Sequence, residues 1–149
     1  LVQPGKRSFG QVYRAVSEYR NAWPDKAVIY SEGQYTGFAW AVFMAGGSLA
    51  PIPPVEHPEF LKKASSMQPV EKSANGVYML KNNNGEAIIW VSGESTSVPD
   101  LSLEKASFVL HRIDPATGKT IGKAQKLSGG KRIRLNASGQ KPEILFISR

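Results

Sequence analysis

In the stretch AVIYSEGQY, residues 27 to 35, a single carboxylate, Glu32, closes a short apolar run and is followed at once by Gly33. A carboxylate one residue beyond a buried parallel strand lies where open α/β sheets and barrels carry their acids and bases. The same Ser31-Glu32-Gly33 is also an ordinary polar turn. The pattern leaves both readings open. Behind Glu32 come Tyr35 and Phe38, aromatics near the start of the next element that could line a binding cleft. Trp40 and Phe43 sit deeper in that apolar element and read as core.

The remaining candidates read mostly as structure. His57 precedes Pro58 and fits a helix-cap region, and His111, set among apolar and basic neighbours, fits a half-buried sheet position. Asp114 fits an Asx turn, with no second acid close enough in sequence for a calcium loop. Trp90, inside AIIWV, reads as core, with stacking against a ligand as the alternative. The chain has no cysteine, so disulfides and thiolate metal sites are excluded, and two distant histidines do not suggest zinc. No cofactor is expected.

These residues need elements to hold them, and the chain changes character near residue 70. Upstream, Phe9, Val12, Tyr13, Val16, Tyr19 and Trp23 recur at helical spacing. Ser8 and Gln11 offer a capping box, and Pro24 closes the helix. KAVIY reads as a short buried strand, and TGFAWAVFMAGG as a helix capped by Thr36 and ended by Gly46-Gly47. SLAPIP reads as another strand, and HPEFLKKASSM as a third helix burying Phe60, Leu61, Ala64 and Met67 on one face. Strand, helix, strand is the repeating unit of a parallel sheet, and two strands are too few to make one. Residues 1–69 are therefore expected to be the last units of a larger α/β domain, in keeping with a first residue, Leu1, that is not methionine.

Downstream, GVYMLKN and EAIIWVSG flank Asn83-Asn84-Gly85, a hairpin signal. ASFVLHRI, KRIRLN and EILFIS add strands, separated by Asp114-Pro115-Ala116-Thr117-Gly118 and by Ser128-Gly129-Gly130. Ile133 and Leu135 share one face of KRIRL, and Arg132 and Arg134 the other. Residues 70–149 are expected to form a small antiparallel β-sandwich.

With 149 residues and 41% hydrophobic content, the chain has enough apolar surface for a core in one domain or two small ones. Its net charge of +7 raises nucleic acid as a partner. However, residues 1–72 carry 8 basic and 6 acidic side chains and residues 73–149 carry 11 and 6, without a long basic run. No aromatic interleaving supports base stacking on Lys131, Arg132 and Arg134, so nucleic acid is not an expected partner. No apolar stretch approaches the roughly 20 residues that span a bilayer, and no signal peptide is visible.

Residues 27–53, AVIYSEGQYTGFAWAVFMAGGSLAPIP, resemble the closing units of TIM-barrel glycoside hydrolase-like proteins common in gut and soil Bacteroidetes. There a strand ending in a Gly/Ser-Glu step leads to a loop aromatic and an aromatic-rich helix. The tail resembles the small β-sandwich that follows such barrels, of the kind labelled a collagen-binding domain of a collagenase, with HRIDPATGKTIG as its hairpin. The resemblance implies the end of a (β/α)8 barrel, with KAVIY as seventh strand, followed by the sandwich. It implies Glu32 as nucleophile or base, Tyr35 and Phe38 as substrate-binding residues, and a glycan or polysaccharide substrate. The second carboxylate such hydrolysis requires would come from an upstream barrel segment of the same protein, and the chain alone would be inactive. A secreted or periplasmic location is likewise implied. The family pattern continues with a tyrosine and a second acid, whereas this sequence has Gln34-Tyr35-Thr36. The competing expectation is a non-catalytic carbohydrate-binding or structural interaction module.

Overall fold

The computed structural model describes residues 8–29, 38–70, 76–93, 101–137 and 139–149. They divide into two compact units, Leu1–Ile52 and Pro53–Arg149.

In the first unit, helix α1, Phe9–Ala22, begins at the capping box that its sequence announces. Ser8 Oγ accepts the Gln11 backbone N–H at 3.2 Å, and Gln11 Oε1 accepts the Ser8 N–H at 2.9 Å, so two otherwise unpaired donors are satisfied. Val12 and Val16 form the buried stripe of α1 and pack with Ala41, Val42 and Ala45 from helix α2, Ala39–Met44. Small residues at this contact let the two backbones approach closely. Helix α2 ends in a Schellman motif: Gly46 N–H donates to Phe43 O at 2.9 Å and Gly47 N–H to Val42 O at 2.8 Å. Gly46 takes φ +77°, a left-handed conformation that glycine adopts without steric cost.

Two short segments expected as strands flank α2. Among the described residues neither 26–29 nor 48–52 forms a ladder. The two are joined by the Ser48 N–H bond to Val28 O at 2.7 Å, and Val28 and Ala50 both pack on the α1–α2 core. A parallel pair is built from evenly spaced slanted bonds along both segments, and one bond does not define it.

The second unit is an antiparallel sheet of six strands in the order β1-β2-β3-β8-β5-β6, with a separate two-stranded pair, β4-β7. The strands are β1 Gln68–Pro69, β2 Val77–Lys81, β3 Ala87–Val91, β4 Leu101–Ser102, β5 Ser107–Ile113, β6 Thr120–Ser128, β7 Arg132–Ile133 and β8 Glu143–Ser148. This is consistent with a β-sandwich-like domain. On one face Val77, Ala87, Ile89, Val91, Phe108, Leu110, Leu145 and Ile147 form a core closed by Leu103, Leu135 and the half-buried Ile133. On the other face lies helix α3, Phe60–Ala64, whose Phe60 ring meets Phe146 edge-on at 5.2 Å. Strands β3 and β8, at the centre of the sheet, are covered on both sides. That is why AIIWV and EILFIS read as continuous apolar runs and not as alternating ones.

The compact units divide after Ile52, and the segment bearing α3 packs by Phe60 on the sheet. One expectation is corrected. Leu61, expected on the buried face of that helix, is 59% exposed, while Phe60 and Met67 are buried. The helix is only five residues long; Leu61 is about 100° round it from Phe60, and Met67 reaches the core from beyond its end.

Candidate functional site

Of the expected site residues, Glu32 and Tyr35 lie outside the described residues. Phe38 is half-buried at the N-terminus of α2 and packs against the α1–α2 core, so part of its ring surface serves structure. The chain leading to Glu32 is described as far as Ile29. There Tyr19, Trp23, Lys26, Ala27, Val28 and Ile29 line a crevice of about 290 Å³. Tyr19 and Trp23 are four residues apart, so they occupy one side of α1, and they are 50% and 59% exposed. Arg20 turns the other way, its Nη1 donating to Ala45 O at 3.3 Å and so satisfying a carbonyl at the end of α2.

Among the described residues of the second unit, four places that gather polar or aromatic side chains stand out. The first is the hairpin between β5 and β6. Asp114 Oδ1 accepts the Ala116 N–H at 2.9 Å, the Asx turn expected of it, and Asp114 O accepts the Gly118 N–H at 2.7 Å. Glu56 holds this hairpin from outside: its N–H donates to Gly118 O at 2.8 Å, and its Oε2 accepts the Thr120 N–H and hydroxyl, each at 2.9 Å. The Thr120 backbone and hydroxyl bonds hold the Glu56 carboxyl below its ordinary pKa. Gly118 is obligatory here, because a Cβ at its φ of +73° would come within 2.0 Å of Pro54 O.

The second place is Glu86, a carboxylate that is 3% exposed. It receives the Lys63 ammonium from α3, the Asn82 side-chain amide at 3.2 Å and the Arg149 backbone N–H at 3.0 Å. Asn82 Oδ1 in turn accepts the N–H groups of Asn84 and Glu86, each at 3.0 Å, shaping the hairpin turn before β3. Burial pushes the Glu86 pKa up, but the bonds from Lys63, Arg149 and Asn82, with the Lys63 charge, outweigh it and hold the group below its ordinary value. A buried carboxylate with this many donors stays ionised.

At the third place Arg112 Nη1 donates to Glu143 Oε1 at 2.7 Å and its Nη2 to Asn136 O at 2.8 Å, joining β5, β8 and the chain after β7. Glu143 is 5% exposed. The fourth place is aromatic. His57, from the segment before α3, meets His111 of β5 edge-on at 4.5 Å and Phe146 of β8 at 5.0 Å. His57 Nδ1 accepts the Glu59 N–H at 3.2 Å, which makes it the cap-region residue expected from its position before Pro58. Sequence reasoning did not pair it with His111, because 54 residues separate the two, and only their matching aromatic character hinted at contact.

Among the described residues no group of three His, Asp or Glu stands together as metal ligands do. Among them, too, no helix is long and apolar enough to cross a membrane. Trp90 is half-buried, opposite Tyr78 and Ile144 in the sheet.

The fold therefore defines a small helical unit joined to a mostly antiparallel, β-sandwich-like unit. Residues 1–67 match a family described as Domain of unknown function (DUF6298), which covers the first unit and continues through α3. No curated protein and no solved structure matches the chain.

Proposed function

We propose that this chain is the C-terminal part of a glycoside hydrolase-like protein that cleaves a glycan or polysaccharide with two carboxylates. The first unit supplies the closing elements of a (β/α)8 barrel, and the sandwich-like unit is its accessory domain. Glu32 is the nucleophile or base, and Tyr35 and Phe38 flank the sugar. The partner acid comes from an upstream barrel segment, and the protein acts outside the cytoplasm. The observation that carries this reading is the Ser48 bond to Val28 across α2, which sets the segment leading to Glu32 beside the segment that follows the helix. In a barrel, residues just past such segments face the substrate. The resemblance of residues 27–53 to barrel-closing units supports the same assignment. Glu32→Gln in the intact protein should abolish glycoside hydrolysis and leave the melting temperature unchanged; near-normal turnover would overturn the assignment.

A second reading is a non-catalytic carbohydrate-binding module, supported by the exposed ring faces of Tyr19 and Trp23 beside Lys26 in the crevice of the first unit. It predicts glycan binding by the 149-residue chain that is lost in Trp23→Ala. Binding lost instead in Trp90→Ala would place the module on the sheet, and no binding by the chain would remove this reading.

A further inference from the structure

The face of the sheet that carries α3 holds the two histidines of the chain against each other, with no carboxylate between them. His57 and His111 stand 4.5 Å apart, and His57 and Phe60 both lean on Phe146, at 5.0 and 5.2 Å. The His111 Nδ1 atom is buried and has no hydrogen-bond partner among the described residues. His57 Nδ1 is an acceptor in its bond from the Glu59 N–H, so the neutral ring carries its proton on Nε2. Protonation at Nδ1 turns that acceptor into a donor and sets two N–H groups against each other. A second proton is opposed further, because two like charges at this spacing repel one another.

The surrounding charges do not relieve this. From the α3 segment, Glu59 favours a proton on His57, and Lys63, itself bonded to Glu86, opposes it. On the hairpin, the Glu56 carboxylate is occupied by Thr120, and Lys119 and Asp114 flank the turn. On β5 and β8, Arg112 and Glu143 are spent on each other. Opposite His111 on β6 the register slips, leaving Gly122, Lys123 and Ala124 across from it and adding another cation. Burial and the neighbouring His111 hold the His57 pKa below its ordinary value, consistent with a ring kept neutral in the closed arrangement.

We propose that the His57–His111 contact is an acid-released clasp that fastens the segment 53–67 to the sheet, closed when both rings are neutral and opened when the pair takes up a proton. Opening withdraws His57 and Phe60 from Phe146 and exposes that aromatic face. The central strands keep their opposite core, so the sheet itself stays folded.

Backbone amide NMR spectra of the whole chain, titrated from pH 7.5 to 4.5, test this. The amides of residues 56–67, His111 and Phe146 should shift together, with a midpoint below the ordinary histidine value of about 6.5, while Ile89 and Leu145 stay in place. In the double variant His57→Phe/His111→Phe the joint transition should be absent and the segment closed throughout. His57→Gln, which keeps an acceptor but cannot titrate, should also abolish it if the double variant does not fold. Amides 56–67 that do not move in the wild-type chain, or a transition with unchanged midpoint in either variant, would overturn the clasp.

Discussion

Glu56 grips Thr120 through one carboxylate oxygen, which accepts both the backbone N–H and the hydroxyl at 2.9 Å across 64 residues of chain. Together with the Glu56 N–H bond to Gly118 O, this docks the proline-rich approach to α3 on the β5–β6 hairpin. The DPATG motif therefore does two jobs. Asp114 shapes the turn, and Gly118 leaves room for Pro54.

Gly118→Ala should be among the most damaging single changes in the second unit. The new methyl would collide with Pro54 O at a backbone angle that alanine resists, which costs about 2 kcal/mol or more. A lowered urea midpoint with an unchanged slope is the expected result. Gly122→Ala is the control: Gly122 has φ +66° and nothing within 4 Å of an added Cβ, so only the backbone penalty remains and the loss should be smaller.

The Glu56 bond also makes a pH prediction. Its folded-state pKa is held below the unfolded value, so its contribution is complete above about pH 4.5 and is lost as the pH falls through the folded value. The difference in urea midpoint between wild type and Glu56→Gln should therefore be larger at pH 6 than at pH 3. A constant difference would mean that the carboxylate charge contributes nothing.

Glu86 is buried and its lone pairs are spoken for by Lys63, Asn82 and the Arg149 N–H. Glu86→Ala strands the Lys63 ammonium and unpairs the last backbone donor of the chain. A loss of about 3 kcal/mol in chemical denaturation is expected, as for one partner removed from a buried pair. Lys63→Met should cost less than this, because the Lys63 side chain is 21% exposed and the other donors to Glu86 remain.

Arg112→Lys keeps the charge beside Glu143 but cannot hold both Glu143 and Asn136 in one planar fork. Thermal melting should drop by several degrees, on the order of 1 kcal/mol for one lost bond from a charged group. Arg112→Ala should drop further, because both bonds and the positive charge beside the buried Glu143 carboxylate are lost.

The sequence by itself determined the features that are local. Ser8 and Gln11 are three residues apart and can only satisfy donors of their own helix, so the capping box was legible, as was the Gly46-Gly47 stop. Asn83-Asn84-Gly85 marked the β2–β3 hairpin, whose turn bonds come from Asn82, and Asp114 marked its Asx turn; both side chains act on backbone within four residues. Strand β6 was not legible. TIGKAQKLS is almost wholly exposed at the sheet edge, so no apolar alternation marks it, and the slip beside Gly122 breaks what register there is. Only the tertiary structure decided that residues 53–67 belong with the sheet, that Glu86 meets Lys63, and that His57 lies on His111. Each of these contacts joins groups more than twenty residues apart, where it is the closing of the chain on its core, and not the spacing of residue types, that chooses the partner.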